Sequence, residues 1–205
     1  MTHRSYLNEN KNHHHHHNER LEFLGDAVLE LVVTEYLYES FDNAEGDLTA
    51  WRASLVNGEM LSQVAREIGI EEFLLMSKGE AKDTGKARNY LLANAMEAII
   101  GALYLDQGYT GAKEFILKYI TVHISEILEK KLYLDPKSYF QEKAQEFANI
   151  TPHYKLLSES GPDHDRIFTV GVYLNHEEIA QGMGRSKQDA QRAAAQSGLE
   201  KKNWL

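Results

Sequence analysis

The 205-residue chain has no cysteine. Disulfides and thiolate metal sites are therefore excluded, and the absence fits a reducing cytoplasm, the location expected here. No run approaches the ~18 apolar residues of a membrane span. Nor does the start carry the apolar stretch of a signal peptide, so no membrane association is expected. Positive charge is also scarce, with 22 Lys and Arg against 31 Asp and Glu and a net charge of -9. Taken alone, that balance argues against a nucleic-acid partner. The deficit is uneven, however. From Asp135 onward there are 9 basic and 10 acidic residues, leaving 13 and 21 for the preceding part.

The length allows one or two domains, and the pattern of the sequence divides it in two. Residues 18–131 carry apolar residues at three-and-four spacing and predict four helices. They are ERLEFLGDAVLELVVTEYLYESF, then DLTAWRASLVNGEMLSQVAREIG with Asp47 or Thr49 as its cap, then ARNYLLANAMEAIIGALYLDQG ending at Gly108, then TGAKEFILKYITVHISEILEKKL. Pro136 opens a further helix, through Asn149. After it, HYKLLSES, RIFTVGVYL and HEEIAQGMG alternate and are rich in Val, Ile, Phe and Tyr, predicting three strands. A last helix is expected from Ser186 to about Lys202. The fold class is thus an all-α domain over 1–134 followed by a small α+β domain, α-β-β-β-α, over 135–205.

The first helix threads carboxylates through an apolar stretch. Glu19, Glu22 and Asp26 stand at i, i+3 and i+7 and share one face. Glu30 reads as a solvated-face residue. Gly25, inside the same helix, makes sense if another backbone or a ligand approaches closely. Asn94 and Glu97 stand at i and i+3 in the third helix, with Gly101 one turn on. Packed with their polar edges together, the two helices would gather three carboxylates and an amide oxygen, the donors hard divalent cations take. One or two Mg²⁺ there could activate water and stabilise charge on a phosphodiester. Spacing alone leaves a solvated helix face as the competing reading.

These stretches resemble the bacterial ribonuclease III family. NERLEFLGDAVLELV is similar to its signature helix, and THRSY, EGDLTAWRASLVNGEML, LMSKGE and NYLLANAMEAIIGALYLDQG resemble its other segments, in the family's order. DPKSYFQEKAQE, SGPDHDRIFTVGVYL and GRSKQDAQRAAAQSGLE resemble the family's double-stranded RNA-binding domain. The resemblance implies a symmetric homodimer with one Mg²⁺-dependent site per protomer (Mn²⁺ substituting), Asp26 and Glu97 being catalytic. Each site would cut one strand of a duplex, leaving 5′-phosphates and short 3′ overhangs, in processing of ribosomal RNA precursors and messenger RNA. The family's metal-binding acids align with Glu22, Asp26 and Glu97, its further signature glutamate with Glu19, and another acidic position with Glu59. Asn94 departs from the usual Asp, which implies weaker metal binding. The family also has a longer helical stretch before THRSY, so part of its first helix is expected to be missing here.

For the second domain the resemblance implies three RNA contacts. Gln141 and Gln145 would meet 2′-hydroxyls and base edges. The loop with His164 would reach a second minor groove, and Arg185, Ser186 and Lys187 would hold phosphates between them. Gln188 replaces the second of the family's paired lysines, which implies weak, salt-sensitive binding by this domain alone. Two readings compete with a nuclease: a duplex-RNA binder whose helical domain only dimerises, and a helical nucleotide pyrophosphohydrolase. The second has no use for an RNA-binding module. Five consecutive histidines, His13 to His17, read as a polar loop rather than a metal site.

Overall fold

Helical periodicity dominates the first 130 residues, and helices form there: α1 (Arg4–Glu9), α2 (Glu19–Ser40), α3 (Glu45–Val56), α4 (Gly58–Glu67), α5 (Lys86–Tyr119) and α6 (Ile124–Glu129). The computed structural model describes residues 1–14, 16–162 and 166–204. It divides into two units, Met1–Tyr133 and Leu134–Leu205, each with its own apolar core. Among the described residues no helix is long and apolar enough to cross a membrane.

Two of the expected helices are each split. The segment expected as one helix around residues 47–69 is α3 and α4, which meet at Asn57. Its backbone is extended, and its side-chain oxygen accepts from Met60 N at 2.9 Å. Asparagine offers the backbone a side-chain partner in place of a helical carbonyl, so it starts a helix more readily than it continues one. Neither Asp47 nor Thr49 is a cap. Helix α3 begins behind Ala44 with no side-chain cap, and both residues lie inside it. The segment expected from Thr110 to Lys131 is also broken, by a 3₁₀ turn over Thr121–His123 between α5 and α6.

Gly108 does interrupt α5, with φ 71° and ψ −169°, a left-sided backbone that glycine adopts without a Cβ penalty. Immediately beyond the break, Tyr109 Oη and Lys113 Nζ each donate to Glu35 Oε2 at 2.6 Å. This clamp fastens the redirected half of α5 to α2. Burial first, then the bond to Glu35, pushes the Tyr109 hydroxyl up to about 12.

Helices α2 and α5 are the central pair of the first unit. Leu29, Val32 and Val33 of α2 and Leu92, Met96 and Ile100 of α5 are fully buried, as are Leu61 and Val64 of α4. Each such side chain contributes about 1.5–3 kcal/mol relative to exposure.

The second unit orders α7 (Pro136–Ala148), β1 (His153–Ser160), β2 (Ile167–Leu174), β3 (Glu177–Gly184) and α8 (Lys187–Lys202). The strands pair antiparallel in the order β1-β2-β3. Leu174 pairs with Glu177, so a two-residue loop joins β2 to β3. It turns on Asn175 at φ 53°, a conformation asparagine tolerates. Alanines let α8 lie close on the sheet. A Cβ at Gly182 would stand 2.0 Å from Ala194 N, and Ala190, Ala194 and Ala195 are fully buried. Phe140 of α7 completes the core with Val172, Ile179 and Leu199. Val170 and Val172 are buried as their alternation predicts, but Phe168 is only half-buried. It lies near the start of β2, and Lys187 Nζ stands 6.0 Å from its ring centre.

Candidate active site and nucleic-acid interface

The candidate active site is built at the crossing of α2 and α5, and two glycines make that crossing close. A Cβ on Gly25 would fall 1.7 Å from the Glu97 carbonyl oxygen, and one on Gly101 would fall 2.2 Å from that of Leu21. The two backbones therefore touch. Glu22 and Asp26 flank Gly25 on α2; Asn94 and Glu97 precede Gly101 by seven and four residues on α5. The close crossing therefore puts all four residues on adjoining stretches of the two helices.

The Glu97 carboxyl is pushed up to about 7, first by burial, then by Asp26 and Glu22. Burial also raises Glu22, reinforced by Glu19 and Asp26 and opposed by His3 and by a hydrogen bond from Asn94. The Asn94 amide thus donates to Glu22, leaving its carbonyl oxygen as a donor atom for a cation. Among the described residues, no three Asp, Glu or His side chains are already gathered closely enough to hold an ion. Mutual repulsion of the carboxylates acts over a longer range than ligation does. The half-buried Glu22 and Glu97 carboxylates, the exposed Asp26 and one amide oxygen offer the donor types a hard divalent cation takes.

Glu19 stands at the edge of this group, 3.5 Å from Arg4 Nη1 and 3.6 Å from His17 Nδ1. Glu59 is exposed at the start of α4, in a groove with Ser54, Met60, Gln63, Ile127 and Leu132, and is not among the charges acting on Glu22 or Glu97. Glu30, read as a solvated residue, pairs with Arg52 at 3.0 Å. The residue missed from the sequence is His3. Its influence on Glu22 arises from chain reversal, and no spacing could signal it. In the histidine run, the His13 ring packs edge-on to Tyr6 at 5.2 Å; His15 lies outside the described residues.

In the second unit, Gln141 and Gln145 are exposed and line one shallow groove on α7 with Ser138, Glu142 and Glu146. Gln145 Nε2 donates to Asn149 Oδ1. Arg185 and Lys187 are exposed at the start of α8. The Ser186 hydroxyl accepts from Asp189 N at 3.0 Å and caps that helix. A phosphate there would meet the remaining free N–H groups and the helix dipole. His164, the expected contact in the β1–β2 loop, lies outside the described residues.

A helical unit with clustered acids, joined to an α-β-β-β-α unit with cations at its last helix, is the architecture of a double-strand-specific endoribonuclease. Residues 1–124 match the model described as "Ribonuclease-III-like", and residues 136–202 match the double-stranded RNA binding motif. Ribonuclease 3 of Pelotomaculum thermopropionicum is 45% identical over 98% of this chain and 84% of its own length. Ribonuclease 3 of Bdellovibrio bacteriovorus is also 45% identical, over 98% of this chain and 87% of its own. Among solved structures, a nuclease domain of ribonuclease III from Campylobacter jejuni, described for flexibility in a region involved in dimer formation, aligns with a TM-score of 0.52. It is 45% identical and covers 58% of this chain and 80% of that one. The chain belongs to the ribonuclease III family, and its C-terminal unit is a double-stranded RNA-binding domain.

Proposed function

We propose that the protein cuts both strands of RNA duplexes with Mg²⁺, or Mn²⁺ in its place, held by Glu22, Asp26, Asn94 and Glu97. A cation bound there supplies an activated water and offsets charge developing on the phosphodiester. The observation that supports this reading most is the close Gly25–Gly101 crossing of the two helices that bear these residues.

Asp26 and Glu97 are the catalytic pair. Near neutrality, burial and its neighbours leave Glu97 partly protonated, and it gives up that proton once positive charge offsets Asp26 and Glu22. Asn94 steadies Glu22 by hydrogen bonding and adds a neutral oxygen, one negative charge fewer than an aspartate would bring. Glu19 shapes the field from the edge of the cluster, and Glu59, at the start of α4, is assigned a supporting role only.

Gln141, Gln145, His164, Arg185, Ser186 and Lys187 hold the duplex in this reading. The acidity is concentrated in the nuclease unit, so the RNA-binding unit presents its cations with little opposing net charge. A symmetric homodimer fits the large apolar side chains that the first unit leaves in solvent, Phe23 beside Glu22 foremost at 82% exposed. The remaining elements of the proposal are products with 5′-phosphates and short 3′ overhangs, and processing of ribosomal precursors and messengers in the cytoplasm.

The test is incubation with long duplex RNA, single-stranded RNA and nucleoside triphosphates, with Mg²⁺ and with EDTA. Only the duplex should be cut, and only with metal. Glu97→Gln should abolish cleavage and spare RNA binding, and Asn94→Asp should lower the Mg²⁺ concentration required. A fully active Glu97→Gln would overturn the site.

A further inference from the structure

The first turn of α2 carries Glu19 and Glu22, yet its own residues secure it poorly. Asn18 precedes it without a side-chain capping bond, and the Asn18 Oδ1 is buried with no hydrogen-bond partner. Glu19 and Glu22 repel each other across that turn. Uncapped helix starts leave N–H groups without partners.

What holds the turn comes from the first four residues. Thr2 O accepts from Asn18 N at 3.0 Å, and Arg4 pairs with Glu19. That segment is in turn fastened some seventy residues along the chain. His3 N donates to Leu75 O at 2.8 Å, and Leu75 N donates to Met1 O at 2.9 Å. His3 Nδ1 stands 2.9 Å from Glu80 Oε2. The Ser5 hydroxyl donates to the same carboxylate and accepts from Ser77 N at 3.0 Å. His3 Nδ1 also accepts from Ser5 N at 3.3 Å and lies 2.9 Å from Ser5 Oγ, so His3, Ser5 and Glu80 meet at one point. The side chains of His3 and Glu80 are only 18% and 30% exposed.

The stretches THRSY and LMSKGE thus form one junction. We propose that this junction is a positioning device for the acid site: Glu80, through His3 and Ser5, holds the first turn of α2 and so keeps Glu22 against Asn94. Asp26 and Glu97 are fixed separately, by the glycine crossing. Breaking the junction should therefore divide the site, loosening Glu22 and leaving Asp26 and Glu97 in place. Its catalytic consequence rests on the nuclease reading above; its structural consequence does not.

The experiment uses the full chain with Glu80→Gln and the milder Ser5→Ala. Hydrogen exchange should quicken at the amides of residues 19–25 and stay unchanged around residues 94–101 and beyond residue 134. Mn²⁺ binding, read by electron paramagnetic resonance, should weaken about 10-fold. The Mg²⁺ requirement for cleavage should rise with little change in maximal rate, and Glu80→Asp should recover part of the loss. The proposal is overturned if both variants leave exchange and Mn²⁺ affinity unchanged. It is equally overturned if exchange rises uniformly through residues 1–133, the mark of general destabilisation. A parent protein that fails to cut duplex RNA would sink the nuclease reading, while the exchange comparison would still decide the positioning claim.

Discussion

Gly25→Ala tests fold and site with one methyl group. The added Cβ would lie 1.7 Å from the Glu97 oxygen, 2.6 Å from its carbonyl carbon and 2.8 Å from Gly101 N. All three are backbone atoms of a buried helix, so no side chain can swing aside. Ordinary contact begins at 3.4 Å, so α2 and α5 must separate locally by about 1.7 Å. Alanine gains up to about 1 kcal/mol of helix propensity. Overpacking costs about 1–3 kcal/mol and more where nothing can yield, and Leu29, Val33, Leu92 and Met96 lose part of their contact as the helices part. The expected net loss is about 2–4 kcal/mol, measured by urea denaturation of the full chain. Displacing Glu22 and Asp26 from Asn94 and Glu97 by more than 1 Å should lower duplex cleavage at least about 100-fold. The Glu97 carboxyl, followed by NMR, should fall from about 7 toward its ordinary value as water enters and its neighbours recede. Gly46→Ala is the control. A Cβ there meets nothing within 4 Å, so that variant should be up to about 1 kcal/mol more stable. A Gly25→Ala protein with parental stability and cleavage would refute the close crossing, and with it the assembled site.

Three further outcomes follow from the same geometry. The raised Glu97 carboxyl makes the metal-free folded state bind its proton more tightly than the unfolded chain does. Its stabilising contribution is therefore complete below about 4.5 and lost as pH rises through about 7. In EDTA, Glu97→Gln should remove a decline on the order of 1 kcal/mol over that window, discounted for partial exposure; an unaltered pH slope would count against the burial of this group. Gly182→Ala, whose Cβ would stand 2.0 Å from Ala194 N, should destabilise the RNA-binding unit and leave the unfolding of the nuclease unit alone, as two-phase denaturation would report. Lys187→Gln should weaken duplex binding and reduce the slope of log affinity against log salt by about 1; an unchanged slope would remove Lys187 from the phosphate contacts.

Local pattern carried much of this protein. Alternation in RIFTVGVYL and three-and-four spacing in NERLEFLGDAVLELV report which face of each element meets the core, because pleat and helix pitch are properties of the backbone itself. In AQRAAAQSGL, small side chains permit the close approach of α8 to the sheet. Helix ends were harder. Asp47 and Thr49 have the chemistry of caps, but α3 already starts at Glu45, and Asn57, which lies in a stretch of unbroken helical spacing, stops it. Capping depends on local backbone geometry that residue type only favours.

The sequence alone determined which residues are acidic, which helices bear them, and that glycines sit beside them. That much follows from covalent chemistry and from periods of 3.6 and 2 residues. Only the tertiary structure decided that Gly25 meets Gly101, that Glu97 is burdened by Asp26 and Glu22, and that His3 and Ser5 are tied to Glu80. Those relations join residues more than seventy positions apart, and such contacts form through packing of whole elements, on which no local period reports.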